Sequence, residues 1–559
     1  MKKLIFVLLI LGLGVLVFLR WPKEVPTEMK ESPQKSEALE SIVQTRISEL
    51  QSNGIDVLVE GKSLRNFDFA VRMDDQAKLK VQDSFLEDIM GCSVLFYKDG
   101  KAVVDRAETE ISFSSAELTR EQTEENESKK KNETVLFPVS EHLSKLGYSV
   151  TYDMVKGTVN FTNTDGGKNL PAKYDMRDHD RVSPIRDQGT YGTCWAFASL
   201  AALETVSMPA EENIYSVDHM SLNNGFTLDL SEGGEHTMSL AYLASWNGPV
   251  LEENDVYGDG ETDSSLPAVK HLKEAIIIDG KDDDRIKNAV FKYGGVETSI
   301  HMEMTYGAYT SEYYNSDNSS YYYSGDEAPN HDLVIVGWDD NYPKENFSTA
   351  PAKDGAYICK NSWGTSFGEE GYFYVSYEDT NICQKSIVYT KLDETDDYDN
   401  IYQTDLLGWV GQMGFSDEKA YFANVYTAQG DETLKAISFY STGSNTKFSV
   451  YIVTDYKDEK SLNGGRKEIG KGETRYAGYY TVDLSQEINL EKGQKYAIIM
   501  SVETPGSQRP IAIECDGGER TQNLDLSDGE GYISLYGEVW YSAEESDANV
   551  CLKAFTDDR

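Results

Sequence analysis

The sequence predicts a multidomain α+β protein: a small α+β module, a larger mixed block with a helical part and a strand part, and an all-β sandwich toward the C-terminal end. Three observations carry that expectation. The chain has 559 residues, and at roughly 150 residues per core such a length asks for about four units. Its composition is 39% hydrophobic and 11% aromatic, with 36 Tyr, which is ample material for packed cores and argues against wholesale disorder. The pattern of that material changes along the chain, so that the blocks read as 1–20, 21–51, 52–165, 170–390 and 393–559.

Charge narrows the partners. With 52 Lys+Arg against 95 Asp+Glu the net charge is −43, and a polyanion of that size repels phosphate backbones instead of releasing their counterions. No nucleic acid is expected as a partner. Six cysteines in a chain of this length are too sparse for a disulfide scaffold, so stability has to come from burial.

Residues 1–20 give an address. Lys2 and Lys3 precede an unbroken apolar run over 4–19, and Arg20 closes it, the charged-then-apolar order of a secretory signal. As a helix the run spans ~24 Å, short of a ~30 Å hydrocarbon core. No alanine occurs before Ala38 and no cysteine stands near enough to take a lipid, so the small-residue cleavage signal is missing. The expectation is a signal/membrane anchor with its positive end inside, which puts the body of the chain at the cell surface, or in the medium if the signal is cleaved. Residues 21–51, rich in Pro, Glu, Lys and Ser, read as a tether.

The 52–165 block alternates short apolar stretches such as Cys92-Ser-Val-Leu-Phe-Tyr with charged turns. Its 117–133 run of Glu, Lys and Asn reads as a solvated loop. Residues 140–146 read as a short helix ended by Gly147 at a left-handed position, followed by strands over 149–152 and 158–161. The stretch Glu133-Thr-Val-Leu-Phe-Pro-Val-Ser-Glu-His-Leu-Ser-Lys-Leu-Gly-Tyr-Ser-Val-Thr-Tyr-Asp resembles the copper amine oxidase N-terminal-like repeat. That resemblance implies a module that is not catalytic and needs no copper, hence a spacer or envelope-binding unit. His142 stands alone, and a solitary His is not a metal site.

The 170–390 block carries the chemistry. Asp187-Gln-Gly-Thr-Tyr-Gly-Thr-Cys-Trp-Ala-Phe-Ala is a Gly-punctuated turn running into a helix, with Phe197, Leu200, Ala201 and Glu204 at helical spacing. Cys194 therefore opens a helix, where the dipole and the unpaired N–H groups favour thiolate and are expected to lower its pKa. Taken alone a lone Cys is more often a small buried hydrophobe. Its context argues otherwise, because Asn330-His-Asp-Leu-Val-Ile-Val-Gly-Trp-Asp and Tyr357-Ile-Cys-Lys-Asn-Ser-Trp-Gly follow in order. His331 lies 137 residues after Cys194 (331 − 194), within the ~130–150 residues separating Cys from His in papain-type sequences.

These three segments resemble the papain family of cysteine peptidases. The resemblance implies a papain-like catalytic domain, a helical lobe beside a β-barrel-like lobe, and a cysteine-type peptidase activity on a protein or peptide substrate. It implies Cys194 as nucleophile, His331 as its proton partner and Asn361 as the residue that orients the imidazole. Gln188, six residues before Cys194, corresponds to the family's oxyanion-hole glutamine, working with the Cys194 backbone N–H. Trp363 would shield the His and Asn pair, and Gly233 and Gly234 correspond to the loop against which an extended peptide pairs. Many members have a cysteine three residues before the nucleophile and a partner just ahead of the Gly-Gly loop; here those positions are Tyr191 and Ser231, as loss of one whole disulfide would leave them. Asp332 follows the His where the family commonly has a small residue bordering the pocket for the second side chain upstream of the cut. Either its carboxylate biases that pocket toward basic or polar side chains, or it turns away to a local salt bridge. Cys359 reads as a buried thiol that Cys383 could reach, and Cys515 and Cys551 could pair with each other.

The 393–559 block is a run of β-branched and aromatic stretches, 434–440, 448–453, 479–484, 496–502 and 511–514, separated by Gly, Asn and Asp turns. That spacing predicts a β-sandwich. Tyr398-Asp-Asn-Ile-Tyr-Gln-Thr-Asp-Leu-Leu-Gly-Trp resembles the lectin-like domain that follows papain-type domains in bacterial surface proteins, which implies a cell-wall or carbohydrate ligand by analogy of fold, or packing against the peptidase that shapes its cleft. The expected function is thus an exported cysteine endopeptidase acting through an acyl-enzyme. A surface adhesin with an inactive peptidase fold, and a thiol amidase or transpeptidase, are the alternatives. No metal and no cofactor is implied, since no His and Cys cluster has ligand spacing.

Overall fold

The computed structural model describes residues 56–559 apart from 60–61, 65–69, 74–77, 124–131, 154–157, 165–169 and 305–306. The apolar run over 4–19 and the 21–51 tether lie outside the described residues. Among the described residues no helix is long and apolar enough to cross a membrane. The chain divides into two compact units, Met1–Pro171 and Ala172–Arg559.

Among its described residues the first unit gathers three small sheets and one short helix, Asp83–Asp88, around a core that includes Phe85, Phe113, Phe137 and Phe161. Two expectations fail here. Residues 140–146 form successive hydrogen-bonded turns and not a helix. Leu143 and Leu146 turn into the core, and the turns are set by that packing. Gly147 does end the run at φ +71°. Part of the expected 117–133 loop is strand: Thr119–Thr123 pairs antiparallel with Asn132–Pro138. It is the outermost strand of its sheet, and a charged sequence suits an edge that faces water.

In the second unit the helix Cys194–Ser207 is buried at every position from Trp195 to Thr205. Burial all round replaces the one-faced pattern expected of a surface helix. The helix packs on the strands His331–Asp339 and Lys385–Asp393 and on the helix His236–Ala244. Its one buried acid, Glu204, is met by Arg186 at 3.0 Å.

The strands of this half follow an open path: Tyr372–Ser376, Ala356–Lys360, His331–Asp339, Val296–Ile300, Lys385–Asp393, His271–Asp279. The path does not close on itself, because its last strand is continued by the C-terminal half. His271–Asp279 pairs with Ala477–Leu490, with Ala275 opposite Tyr479 and Ile276 opposite Gly478. Gly478 sits at φ +142°, and a Cβ there would lie 2.1 Å from the Ala275 carbonyl oxygen, so this seam needs a glycine.

Beyond the seam the same sheet runs on through Glu432–Ser441 to Ile511–Cys515. A second sheet, ordered Lys467–Thr474, Thr446–Val453, Lys495–Glu503, Lys419–Thr427, Gly531–Ser534 and Tyr541–Ser542, faces it. Phe422, Ile437, Phe439, Val450, Ile498, Met500 and Leu552 fill the space between. This is a β-sandwich, and each of the five sequence stretches lies in one of its strands. All six cysteines are free thiols. Cys359 and Cys383 are both buried and form no disulfide, and Cys551 Sγ donates to the Gly408 carbonyl at 3.3 Å instead of pairing with Cys515.

Candidate active site

Topology brings three of the sequence-predicted residues together. His331 is the first residue of its strand, and the neighbouring strand Ala356–Lys360 runs antiparallel with Val334 opposite Lys360. The start of one therefore lies beside the end of the other, and Asn361 and Trp363, just past that end, arrive next to His331. Its Nε2 meets Asn361 Oδ1 at 2.7 Å. The same oxygen accepts from the Ser362 backbone N–H at 2.9 Å, which identifies it as the carbonyl end of the amide and makes the His nitrogen the donor. Nδ1 is then the free base of the ring. Trp363 packs on the imidazole with ring centroids 4.7 Å apart.

Cys194 is the first residue of the buried helix. The turn before it is fastened to the Asn361 loop: Gln188 N–H donates to the Ser362 carbonyl at 2.8 Å, and Gly364 N–H to the Arg186 carbonyl at 3.1 Å. The Gln188 side chain is fixed at both ends, its Oε1 accepting from Ser362 Oγ at 2.7 Å and its Nε2 donating to the Tyr191 carbonyl at 2.8 Å. An amide NH₂ has two hydrogens, so one remains for an oxyanion.

Gly233 and Gly234 are glycines for reasons of packing as well as of access. Gly233 has φ +82°, and a Cβ on Gly234 would fall 2.4 Å from Trp195 Nε1. The Gly-Gly loop thus leans on the residue that follows Cys194. Where the disulfide of the resembling family would join the two loops, the Gly192 N–H donates to the Leu230 carbonyl at 2.8 Å, and a Cβ on Gly192 would meet Gly233 N at 2.8 Å. Main-chain contact fastens the loops here, while Tyr191 points to solvent.

Asp332 is half-buried, and its carboxylate accepts a short hydrogen bond from Ser299 Oγ on the adjacent strand. Its partner is thus a hydroxyl and not the cation of a salt bridge. Burial pushes its carboxyl up to about 6. Glu297, two residues along that strand and fully enclosed, is pushed well above the usual carboxylate range by burial and then by Asp332, against the hydrogen bond from Ser199.

The expected lowering of the Cys194 thiol does not appear. Burial pushes it up to about 12, the charge of Asp332 adds to that, and the backbone N–H groups of Asp332, Trp195 and Cys194 work in the opposite direction. Removal from water outweighs the helix terminus. Burial likewise takes the His331 imidazole down to about 4, with Asn361 favouring its charged form. Each group alone prefers to be neutral.

Two further residues escape a reading of motifs. Ser362 holds Gln188 through both its hydroxyl and its carbonyl; lying between Asn361 and Trp363, it could have been singled out by position. Tyr257 OH donates to the Gln188 carbonyl at 2.8 Å and meets Thr193 Oγ1 at 2.8 Å, so it braces the turn from a segment with no sequence signal of its own.

Comparison with known proteins bears on both halves of this unit. Residues 170–390 match the model of the papain family cysteine proteases, and residues 401–556 match that of the lectin-like domain. Cysteine proteinase 15A of Pisum sativum is 28% identical over 235 residues, covering 38% of this chain and 60% of its own. Cathepsin L of Sarcophaga peregrina is 27% identical over 233 residues, 38% of this chain and 61% of its own. The chain thus spans about 60% of the length of these curated relatives. Among solved structures, the cysteine protease and lectin-like domains of Cwp84, a surface layer associated protein of Clostridium difficile, superpose with a TM-score of 0.60 at 25% identity, covering 69% of this chain and 89% of that one. A second clostridial Cwp84 structure, after propeptide cleavage, has a TM-score of 0.62 at 24% identity, covering 69% and 99%.

Proposed function

We propose that this chain, which carries a papain-family cysteine protease domain at residues 170–390 and a lectin-like domain at 401–556, is an exported, cell-surface cysteine endopeptidase. The observation that carries the reading is the 2.7 Å contact between His331 Nε2 and Asn361 Oδ1, which leaves Nδ1 as a base, together with a helix-opening Cys194. In the mechanism it supports, the Cys194 proton passes to His331 Nδ1 as Sγ attacks the peptide carbonyl carbon. The negative charge on the carbonyl oxygen is met by the Cys194 backbone N–H and the spare hydrogen of Gln188 Nε2. The imidazolium then gives its proton to the leaving amine, and water, deprotonated by the same nitrogen, hydrolyses the thioester. Asn361 keeps the ring in one tautomer throughout.

Export and a membrane tether rest on the Lys2, Lys3 and 4–19 pattern. A surface location has further support from the surface-layer association of Cwp84. The first unit is read as a spacer, and the lectin-like domain as a carbohydrate or cell-wall contact. Asp332, with its carboxylate toward Ser299, is read as selecting a basic or polar side chain at the second position upstream of the cut; a peptide library in which Leu, Val or Phe outcompetes Lys and Arg there removes that assignment.

The deciding experiment is labelling of residues 21–559 by an epoxide inhibitor of papain-type enzymes, read by intact mass beside Cys194→Ala, followed by peptide turnover. One adduct on the wild type and none on the variant, with cleavage of peptides, is the expected result. Labelling without cleavage favours an amidase or transpeptidase. If the wild type stays unlabelled, and residues 170–559 alone stay unlabelled too, the site is inactive and the adhesin reading stands.

A further inference from the structure

The loop that bears Gly233 and Gly234 is gripped from outside its own domain. A turn of the lectin-like domain, Gly518–Thr521, lies along it. The Arg520 guanidinium pairs with the Glu235 carboxylate and sits over the Phe226 ring, 5.8 Å from its centroid. The Arg520 carbonyl accepts from the Thr227 N–H at 3.0 Å, Thr227 Oγ1 donates to the Glu519 carbonyl, two positions that are 292 residues apart in sequence, and Asn523 Nδ2 donates to the Gly225 carbonyl at 3.1 Å. Leu407, also from the lectin-like domain, approaches so closely that a Cβ on Gly225 would stand 3.1 Å from it. Both ends of the 225–235 loop are therefore fixed by the C-terminal half.

Glu235 is where this grip reaches the cleft. It is the extended residue that caps the helix His236–Ala244, at φ −151° and ψ 163°, and it directly follows Gly234, which rests on Trp195 next to Cys194. Its Oε1 also accepts from Thr237 Oγ1 at 2.9 Å. A loop with two adjacent glycines has little intrinsic preference for one conformation, and the direct main-chain bond from Gly192 to Leu230 holds only its middle.

We propose that Arg520 is a positioning residue for substrate binding: by holding the extended Glu235 it fixes the conformation of the Gly233–Gly234 backbone that an incoming peptide pairs with, so that the lectin-like domain is part of the substrate-binding apparatus. This rests on the peptidase reading above. A peptide that pairs with this backbone feels the loop's order through its binding, whereas a small reagent meeting only Cys194 does not. The contact is partly exposed, so its loss costs about three- to five-fold in KM and no more, in keeping with ion pairs at such sites.

The test compares wild type, Arg520→Ala, Arg520→Lys and Glu235→Gln in three measurements: KM and kcat on an extended fluorogenic peptide, the rate of Cys194 alkylation by iodoacetamide, and thermal unfolding. KM raised three- to five-fold in Arg520→Ala and Glu235→Gln, with kcat and alkylation within about two-fold of wild type and Arg520→Lys between, supports the proposal. It is overturned if KM is unchanged in both variants, or if kcat, alkylation and unfolding temperature fall together as they do when a contact merely stabilises the fold. A wild type that is alkylated yet cleaves no peptide brings down the peptidase reading itself, a result that no difference between variants produces.

Discussion

The two walls of the cleft are built on opposite principles. The nucleophile wall is assembled from within its own domain: Gln188, Ser362, Asn361 and His331 hold one another through hydrogen bonds of 2.7 to 2.9 Å, Trp363 packs on the His331 ring, and Cys194 opens a helix buried from Trp195 to Thr205. The Gly-Gly wall is held to that domain by one main-chain bond through Leu230 and by packing on Gly192 and Trp195, and is gripped in addition by Arg520, Glu519 and Asn523 of the lectin-like half. On the proposed reading, chemistry is fixed locally and substrate alignment is fixed at a distance. Substitutions on the first wall should act on kcat, and substitutions on the grip should act on KM.

Cys194→Ala gives the largest effect. Removing the attacking sulfur should lower turnover by at least roughly 10³-fold while leaving the thermal midpoint near that of wild type, since a small side chain replaces another small one. Peptide turnover and calorimetry check this together, and retained turnover would mean that another group attacks. Next comes Asn361→Ala, which frees the imidazole to rotate and to exchange tautomers; kcat should fall roughly 10²-fold with KM close to wild type. A rise in KM of the same size as the fall in kcat would break the separation of the two walls.

Much of the first wall could be read from the sequence, because its residues sit in three short motifs whose order and spacing are themselves the signal. The Gly-Gly pair was legible as a loop, but not the reason it stays in place: nothing local to Gly518–Thr521 marks it as a partner of Glu235, and only folding brings the two together. The same holds for the seam at Gly478, since an isolated glycine inside a strand pattern does not announce which carbonyl will approach it. Burial was the other blind spot. A helix N-terminus read in one dimension favours thiolate, yet the sequence does not show that the helix carrying Cys194 is enclosed on all sides, and enclosure wins. The 140–146 turns and the Thr119–Thr123 edge strand were misread for a related reason, as short or charged segments whose conformation is set by neighbours and not by their own periodicity.

The seam offers a control on the grip. Gly478→Ala puts a methyl group 2.1 Å from the Ala275 carbonyl oxygen; the backbone must shift, at a cost of roughly 1–3 kcal/mol. Thermal unfolding should record that loss. If the lectin-like half acts on the cleft through Arg520 in particular, KM for the extended peptide changes less in Gly478→Ala than in Arg520→Ala. The reverse order would mean that any loosening between the halves disturbs the substrate wall.

The smallest expected effect concerns Asp332, whose charge acts on the Cys194 thiol. Its carboxyl is raised to about 6, so as pH rises through that value it becomes negative and opposes formation of the Cys194 thiolate. Burial and then Asp332 hold the Glu297 carboxyl well above the usual carboxylate range. In Asp332→Asn the opposition is gone. Alkylation of Cys194 near neutral pH should then run roughly three-fold faster than in wild type, equivalent to about half a pKa unit at the thiol. Below about pH 6 the two proteins should converge, since Asp332 is then uncharged in the wild type as well. Measuring the iodoacetamide rate across that range separates charge from shape: a constant ratio at every pH means the substitution acts by packing, and superimposed profiles mean the thiol does not sense the carboxylate. Only a ratio that opens as pH climbs through about 6 assigns to Asp332 a field that the nucleophile wall must overcome before it can attack.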